Sequence, residues 1–307
     1  MKIFDRLLDK SIYFSFDRSG YKRHAKEFKN ETFVGEGKVA IVTGANAGIG
    51  LGVTKALCQS GVKVHMLCRS LERGKKAVEE ICTNQEDAQL SLLQVDVSEP
   101  KSIDAFLGSD RHQQFDIIVN NAGGMPEILT KNSLDHEIVW ASHVSGHYRL
   151  TQGLIEQDQL RLGARVITVS SGGMYSQKLD LSDLNFQKSD YNKYTAYANA
   201  KRAQVILNEL WHERYGEAIR FSCMHPGWVR TDGVRFAMPW FYWWMEKRLR
   251  EVGEGADTVV WLALTREKYR GGQFWFDRKE APVHLAEKTK ESHKHREELL
   301  EVLNRGN

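Results

Sequence analysis

Val39-Ala40-Ile41-Val42-Thr43-Gly44-Ala45-Asn46-Ala47-Gly48-Ile49-Gly50 governs how the rest of the chain is read. An apolar run of strand length ends in a glycine-rich turn, which feeds into a stretch of helical spacing, Gly48 to Ser60. Glycines suit such a junction because the backbone must turn tightly, approach a pyrophosphate without an intervening Cβ, and let the helix pack closely on the strand. Amides at the helix start then face the anion. The spacing is Gly-x-x-x-Gly-x-Gly, one residue off the common dinucleotide fingerprint, so the turn alone leaves a purely structural reading open.

The same alternation continues from there toward the C-terminus. Further apolar runs lie at Val62 to Cys68, Leu90 to Val95, Phe115 to Asn120, Ala164 to Ser170, Ala218 to Met224 and Gln273 to Phe276. Their near-continuous aliphatic and β-branched character suits strands covered on both faces. Between them, Leu71 to Thr83, Pro100 to Leu107, Leu134 to Leu154 and Thr195 to Tyr215 carry helical spacing. This β-α alternation predicts an α/β fold: a single Rossmann-type, doubly wound parallel sheet of about seven strands with helices on both faces. The expected organisation is an N-terminal helical extension over 1–37, the sheet domain over 38–278 and a charged helical tail over 279–307. The tail, with EKTKESHKHREELLEVL at 287–303, reads as a solvated helix.

With 43 Lys+Arg against 40 Asp+Glu, the formal charge of +3 gives no reason to expect a nucleic-acid partner. At 41% hydrophobic and 27% charged residues, the 307-residue chain has a globular composition, which excludes the disordered and fibrous classes. Cys58, Cys68, Cys82 and Cys223 form no close pair and no Cys/His metal spacing, so reduced, inert thiols are expected and no metal site. No apolar run has spanning length, and Asp5, Arg6, Asp9 and Lys10 interrupt any signal-peptide core. A cytoplasmic protein is expected. Ile3, Phe4, Leu7, Leu8 and Ile12 fall at helical spacing among Lys2, Arg6 and Lys10, which reads either as a helix packed on the domain or as an interfacial anchor giving peripheral membrane contact.

Four short motifs stand at the expected carboxyl ends of strands or on the helix that follows, the edge where open α/β sheets bind ligands. They are Asn120-Asn121-Ala122-Gly123, Val169-Ser170-Ser171-Gly172, Tyr197-Ala198-Asn199-Ala200-Lys201 and His225-Pro226-Gly227. Tyr197 and Lys201, four apart, share one helix face. An isolated Tyr-x-x-x-Lys occurs about once by chance in a chain of this length, so its weight comes from the other motifs.

In this order and on these elements, the motifs over about Lys38 to Asp277 resemble the short-chain dehydrogenase/reductase family. The separation of Ser171 from Tyr197, with Cys68-Arg69-Ser70-Leu71-Glu72-Arg73-Gly74, resembles its retinol-dehydrogenase-like branch. Ser170 to Met174, Met224 to Trp228, Ala237-Met238-Pro239 and Asp277-Arg278-Lys279 resemble one poorly characterised vertebrate member in particular. The resemblance implies that Tyr197 is the general acid/base on a carbonyl or alcohol and that Ser171 donates a hydrogen bond to the same oxygen. It also implies that Lys201 reaches the nicotinamide ribose, its cation favouring the Tyr197 phenolate. By the same carry-over, the dinucleotide is held by Gly44, Asn46, Gly48, Ile49 and Gly50 in the turn, by Asp96 near the adenine and by Asn121. Pro226, Gly227, Val229 and Thr231 complete the cradle with Tyr197 and Lys201.

Arg69 stands at the end of the second strand, where a carboxylate would accept a bond from the adenosine 2′-hydroxyl and a cation would pair with a 2′-phosphate. That favours NADP(H), with Arg73 as a second cation. Aligning Gly146 and Leu150-Thr151 with the family helix places His143 where most active members carry an asparagine that supports a proton relay. An imidazole can also donate or accept, but it titrates near neutrality, so His143 becomes the fourth catalytic candidate.

The segment of about 229–252, read as a substrate lid, holds Trp240, Phe241, Tyr242, Trp243, Trp244 and Met245, followed by Lys247, Arg248 and Arg250. A lipophilic substrate, contact with a membrane or second subunit, and ordinary core packing each account for such aromatic density. The leading expectation is an NADP(H)-dependent oxidoreductase acting on a retinoid, steroid or lipid aldehyde class of alcohol or carbonyl. The alternative is a non-catalytic dinucleotide-binding protein whose lid engages a partner. Kinship further implies pairing into a homodimer through helix bundles.

Overall fold

The computed structural model describes residues 12–109 and 113–305. One sheet organises them, in the order β3-β2-β1-β4-β5-β6-β7-β8. Its strands are β1 Val39–Thr43, β2 Lys63–Cys68, β3 Leu90–Gln94, β4 Phe115–Asn120, β5 Leu160–Val169, β6 Arg220–Met224, β7 Phe274–Phe276 and β8 Lys279–Glu280. Seven of these run parallel, and the two-residue β8 adds an antiparallel edge. The Rossmann-type expectation holds, with one more strand than the periodicity gave.

Side-chain alternation divides the core between the two faces of the sheet. Val39 and Ile41 of β1 join a layer with Ile103, Phe106, Leu150, Leu154, Ile206 and Trp211, whereas Ala40 and Val42 join Val53, Leu57, Ile81 and Val259 on the other face. The helices on the first side are α5 (Pro100–Leu107), α7 (His147–Glu156) and α8 (Lys193–Tyr215). Those on the second are α3 (Gly48–Gln59), α4 (Leu71–Asn84) and α11 (Val252–Leu264). Strand order reverses between β1 and β4, so their carboxyl ends open the crevice used for ligands in such sheets.

Two expectations need correction. The single helix predicted over Leu134 to Leu154 begins instead at α6 (Ile138–Trp140), because the Glu137 carboxylate caps the amides of Val139 and Trp140 at 2.9 and 2.8 Å. It then passes through a π-helical segment, Ala141–Gly146, before α7. The tail is not a solvated helix. Its helix α12 (His293–Arg305) buries Leu299 and Leu303, and Arg296 reaches Glu209 and Glu213 on α8, each at 2.6 Å.

At the other end, two short helices, α1 (Ile12–Ser15) and α2 (Arg18–His24), form a strap against the lid. The remainder of the predicted N-terminal helix, Ile3 to Leu8, lies outside the described residues. The lid itself comprises α9 (Asp232–Ala237) and α10 (Pro239–Met245). Among the described residues no helix is long and apolar enough to cross a membrane.

Candidate functional site

The glycine turn is shaped by contacts that leave no room for side chains. Gly44 (φ 63°) and Gly48 (φ 51°) occupy left-handed conformations, and a Cβ on Gly50 would lie 2.3 Å from the Gly44 carbonyl oxygen. Ala47, before α3, gives that helix no side-chain cap, so its first amides stay available to an anion. Asn121 braces the turn, its Nδ2 donating to the Thr43 carbonyl at 2.9 Å. Asn120 instead ties the sheet to α7, donating to Thr151 Oγ1 at 3.0 Å. This cradle fits a dinucleotide pyrophosphate.

The end of β2 is stitched to the same turn. Gly44 N donates to Leu67 O at 2.9 Å, and the Cys68 thiol lies against the backbone of Ala45 and Asn46. Exposed Arg69 therefore stands beside the crevice, 3.8 Å from the Asp96 carboxylate. Asp96 commits its other oxygen to the amide and hydroxyl of Ser98, at 2.9 and 2.6 Å. Opposite, Thr231 caps α9 by accepting from Val234 N at 3.2 Å, and its Cγ2 would sit 3.2 Å from a Cβ on Gly48. Half-buried Ile49 begins α3. Val229 pairs with Arg250 as an isolated bridge, and Gly227 (φ 74°) follows Pro226 in a tight turn. The glycine turn, Arg69 and Asp96 thus lie together, with Thr231 packed against Gly48 from the other side.

Below the crevice, the Ser171 hydroxyl accepts from Gly173 N at 3.2 Å and hydrogen-bonds Tyr197. Lys201 Nζ lies 5.4 Å from the centroid of the Tyr197 ring and donates to Val169 O (2.8 Å) and Gln204 Oε1 (3.1 Å). Ser171, Tyr197 and Lys201 are brought together. Their ionisation differs from expectation: burial raises Tyr197 above its ordinary value, partly offset by Ser171, and the same desolvation lowers Lys201 to about 7. The ammonium spends its hydrogen bonds on a carbonyl and an amide while lying over the Tyr197 ring.

His143 stands in the π-helical segment with its ring edge-on to Tyr197, centroids 5.5 Å apart. Its Nε2 bonds Gly124 O at 3.0 Å, so that nitrogen carries the proton, and buried Nδ1 has no partner. Burial, followed by the Lys201 charge, holds the imidazole neutral well below its ordinary range. The expectation that it titrates near neutrality is corrected on that ground.

Sequence reasoning passed over four residues that the fold places here. Gln204 and His147 join the buried cluster, as described below. Arg250, fully buried, binds Asp277 through two bonds of 2.5 and 2.9 Å and donates to the carbonyls of Ser15, Phe16 and Pro226. Phe16 of the strap sits where a Gly172 side chain would go, a Cβ there falling 2.4 Å from its ring. Gln204 alone carried a signal, being three residues beyond Lys201 on one helix.

Residues 38–240 match the family described as short chain dehydrogenase. The chain is 38% identical to dehydrogenase/reductase SDR family member 12 of Bos taurus over 296 residues, covering 94% of this chain and 92% of that one. It is 32% identical to retinol dehydrogenase 11 of Homo sapiens over 236 residues, 75% and 73% of the two chains. Among solved structures, an uncharacterised protein from Mycobacterium paratuberculosis superposes with a TM-score of 0.70 at 22% identity, covering 89% of this chain and 94% of that one.

Proposed function

The chain belongs to the short-chain dehydrogenase/reductase family of nicotinamide-dependent oxidoreductases, and we propose that within it the protein uses NADP(H) to act on a lipophilic alcohol or carbonyl compound. The observation that carries the cofactor choice is Arg69, an exposed cation at the end of β2 beside the glycine turn. Its contact with Asp96 is long enough to be exchanged for a phosphate. When bound, the dinucleotide supplies or accepts the hydride. In the reducing direction Tyr197 Oη–H gives its proton to the substrate oxygen while the Ser171 hydroxyl donates a hydrogen bond to that oxygen. The raised Tyr197 favours the protonated, donating form.

A lipophilic substrate is supported by an aromatic run leading from the serine loop to the lid. Phe16 covers Gly172, its ring is 5.9 Å from Trp228, and Trp228 is 5.2 Å from Phe241. A second reading rests on the outer lid, where Trp240, Trp243 and Trp244 are 81%, 72% and 63% exposed. Such rings suit the headgroup region of a bilayer, which makes this face a peripheral membrane contact.

Arg69→Ala should weaken NADPH by about tenfold or more while sparing NADH, the loss of a charge-assisted bond worth about 1.5–3 kcal/mol. Paired fluorescence titrations measure it, and equal affinity of the native protein for both cofactors sinks the assignment. A screen of retinoids, steroids and lipid aldehydes against NADPH tests catalysis. On any substrate found, Tyr197→Phe should cost at least about a hundredfold in kcat while keeping NADPH binding. Undiminished kcat would remove Tyr197 from the reaction.

A further inference from the structure

Beneath Tyr197 lies a polar cluster whose members have little freedom in how they bond. Gln204 is 2% exposed and spans two partners: its Oε1 accepts from Lys201 Nζ at 3.1 Å, and its Nε2 donates to the His143 main-chain oxygen at 2.8 Å. An ammonium can only donate and a carbonyl can only accept, so the amide has one permitted orientation. The same carbonyl accepts from His147 Nδ1 at 3.2 Å. That fixes the proton on Nδ1 and leaves Nε2 to face Thr43 Oγ1, also at 3.2 Å. Thr43 Oγ1 in turn accepts the amides of Asn121 and Ala122, both at 2.9 Å, and its single proton serves either Val119 O, also at 3.2 Å, or His147 Nε2. A chain of close polar contacts therefore runs from Lys201 toward the glycine turn, and Gln204 is its first link.

We propose that Gln204 is a positioning residue for the reaction pair, its amide clamping the Lys201 ammonium to the His143 carbonyl and so setting both the direction and the ionisation of that ammonium beneath Tyr197. This rests on the reading of Tyr197 and Lys201 given above. The groups facing Lys201 give it no counter-charge at neutral pH. Tyr197 on its own helix is raised by burial, and His143 and His147 across from it stay neutral. On β6, burial pushes the Cys223 thiol up to about 12. Besides the Tyr197 ring it lies over, what remains for the ammonium is two dipoles, Val169 O and Gln204 Oε1. A neutral amide neither takes nor releases a proton near pH 7, so it can orient the charge without neutralising it. Changing its oxygen to a carboxylate, or removing it, must then alter when Lys201 ionises.

The test uses NADPH binding, followed by fluorescence from pH 6 to 10, with NADH alongside to separate the 2′-phosphate's own titration. Native protein should lose affinity through a limb that Lys201→Met abolishes. Gln204→Glu should move that limb up by about one to three pH units. Gln204→Met, of similar volume, should move it down. If Gln204 merely fills space, the Met variant keeps the native limb, and that result overturns the proposal. So does a native profile identical to that of Lys201→Met. Where the Glu variant fails to fold by circular dichroism, the Met variant decides by the same reading. No NADPH binding by native protein overturns the underlying reading and this inference with it, whereas binding with an unmoved limb overturns the inference alone.

Discussion

The floor of the crevice and its lid are built on opposite principles. The floor is dry and polar: Lys201, Gln204, His143 and His147 are each 3% exposed or less, and their bonds allow few alternatives. The lid is apolar and wet, with Phe236, Trp240, Trp243 and Trp244 turned outward while Phe241, Tyr242 and Met245 face in. A low-dielectric polar cluster is costly to perturb and holds reacting groups to one geometry. Exposed rings at a surface carry little stability, and a cluster of them is a surface on which the proposed membrane contact can be tested. On the proposed reading, chemistry is set below and encounter above. Arg250 ties the lid to the rest of the domain, its guanidinium holding the strap, the Pro226 turn and Asp277 while its backbone bridges Val229 at the start of the lid.

The largest effect should come from cutting that joint. Arg250→Met leaves the Asp277 carboxylate buried against His24 without its guanidinium partner, a loss of about 3–5 kcal/mol in unfolding free energy. Urea denaturation measures it. A loss below about 1 kcal/mol would mean that the lid and strap are held by other contacts, and the lid's dependence on one buried joint would need redrawing.

The two regions also differed in how legible they were. The glycine turn, Ser171, Tyr197 and Lys201 are visible because local sequence dictates them: a turn needs glycine, and two groups meet when four apart on a helix. Gln204 was readable as the next position on that face, but α8 is buried nearly all round, so no polar stripe singled it out. The π-helical segment left no mark, since the Glu137 cap and the shifted register do not alter the spacing of apolar residues. Arg250 was visible only as one of three basic residues after the lid's aromatics, and its buried role gave no signal because its partners at Ser15, Phe16 and Asp277 are remote in sequence. In the tail, Leu299 and Leu303 stand four apart among charges, and only the docking of Arg296 and of Asn304, which accepts from Tyr148 Oη at 2.7 Å, shows that the helix is covered. For the lid, aromatic density was evident, but which rings turn outward depends on tertiary packing.

The floor's dryness has a pH signature of intermediate size. His143 is lowered well below its ordinary value, and His147 and His225 titrate at about 3 when folded. A free imidazole takes its proton near 6.5. As pH falls through 6.5, the unfolded chain therefore binds protons that the folded chain refuses, and stability is lost by about 1.4 kcal/mol per pH unit for each such group until its folded value is reached. Lys201 behaves alike at the other end: between its unfolded value near 10.4 and about 7, stability rises with pH. Urea unfolding of native protein beside His147→Gln, at pH 7.5 and pH 5, should show the smaller acid loss in the variant. Equal losses would mean that the floor admits water. In catalysis the same neutrality predicts that His143→Asn leaves the shape of the pH–rate profile unchanged between pH 6 and 7. A limb abolished by that substitution would show a titrating imidazole after all.

The smallest effect on stability, and the sharpest test of the lid, is expected from replacing Trp240, Trp243 and Trp244 together by serine. Their exposure means that each ring already meets solvent, and substitutions of this kind typically shift unfolding free energy by about 0.5 kcal/mol or less per site. Two partial contacts raise that figure slightly, since Trp240 and Trp243 lie edge to face at 6.0 Å and Trp244 is 5.6 Å from Tyr13 on the strap. NADPH affinity should be untouched, because none of the three reaches the glycine turn or the Tyr197 pair. Flotation with anionic liposomes then separates the roles of the outer face. Loss of vesicle binding with kinetics unchanged on a water-soluble carbonyl substrate makes the outer rings a membrane contact, while Phe16, Trp228 and Phe241 remain the substrate wall. A rise in KM for lipophilic substrates without any change in flotation places the tryptophans in the substrate path. If neither flotation nor KM moves, the exposed rings serve another protein surface, and a change of mass in solution between native and variant protein would identify that surface as a second copy of the chain.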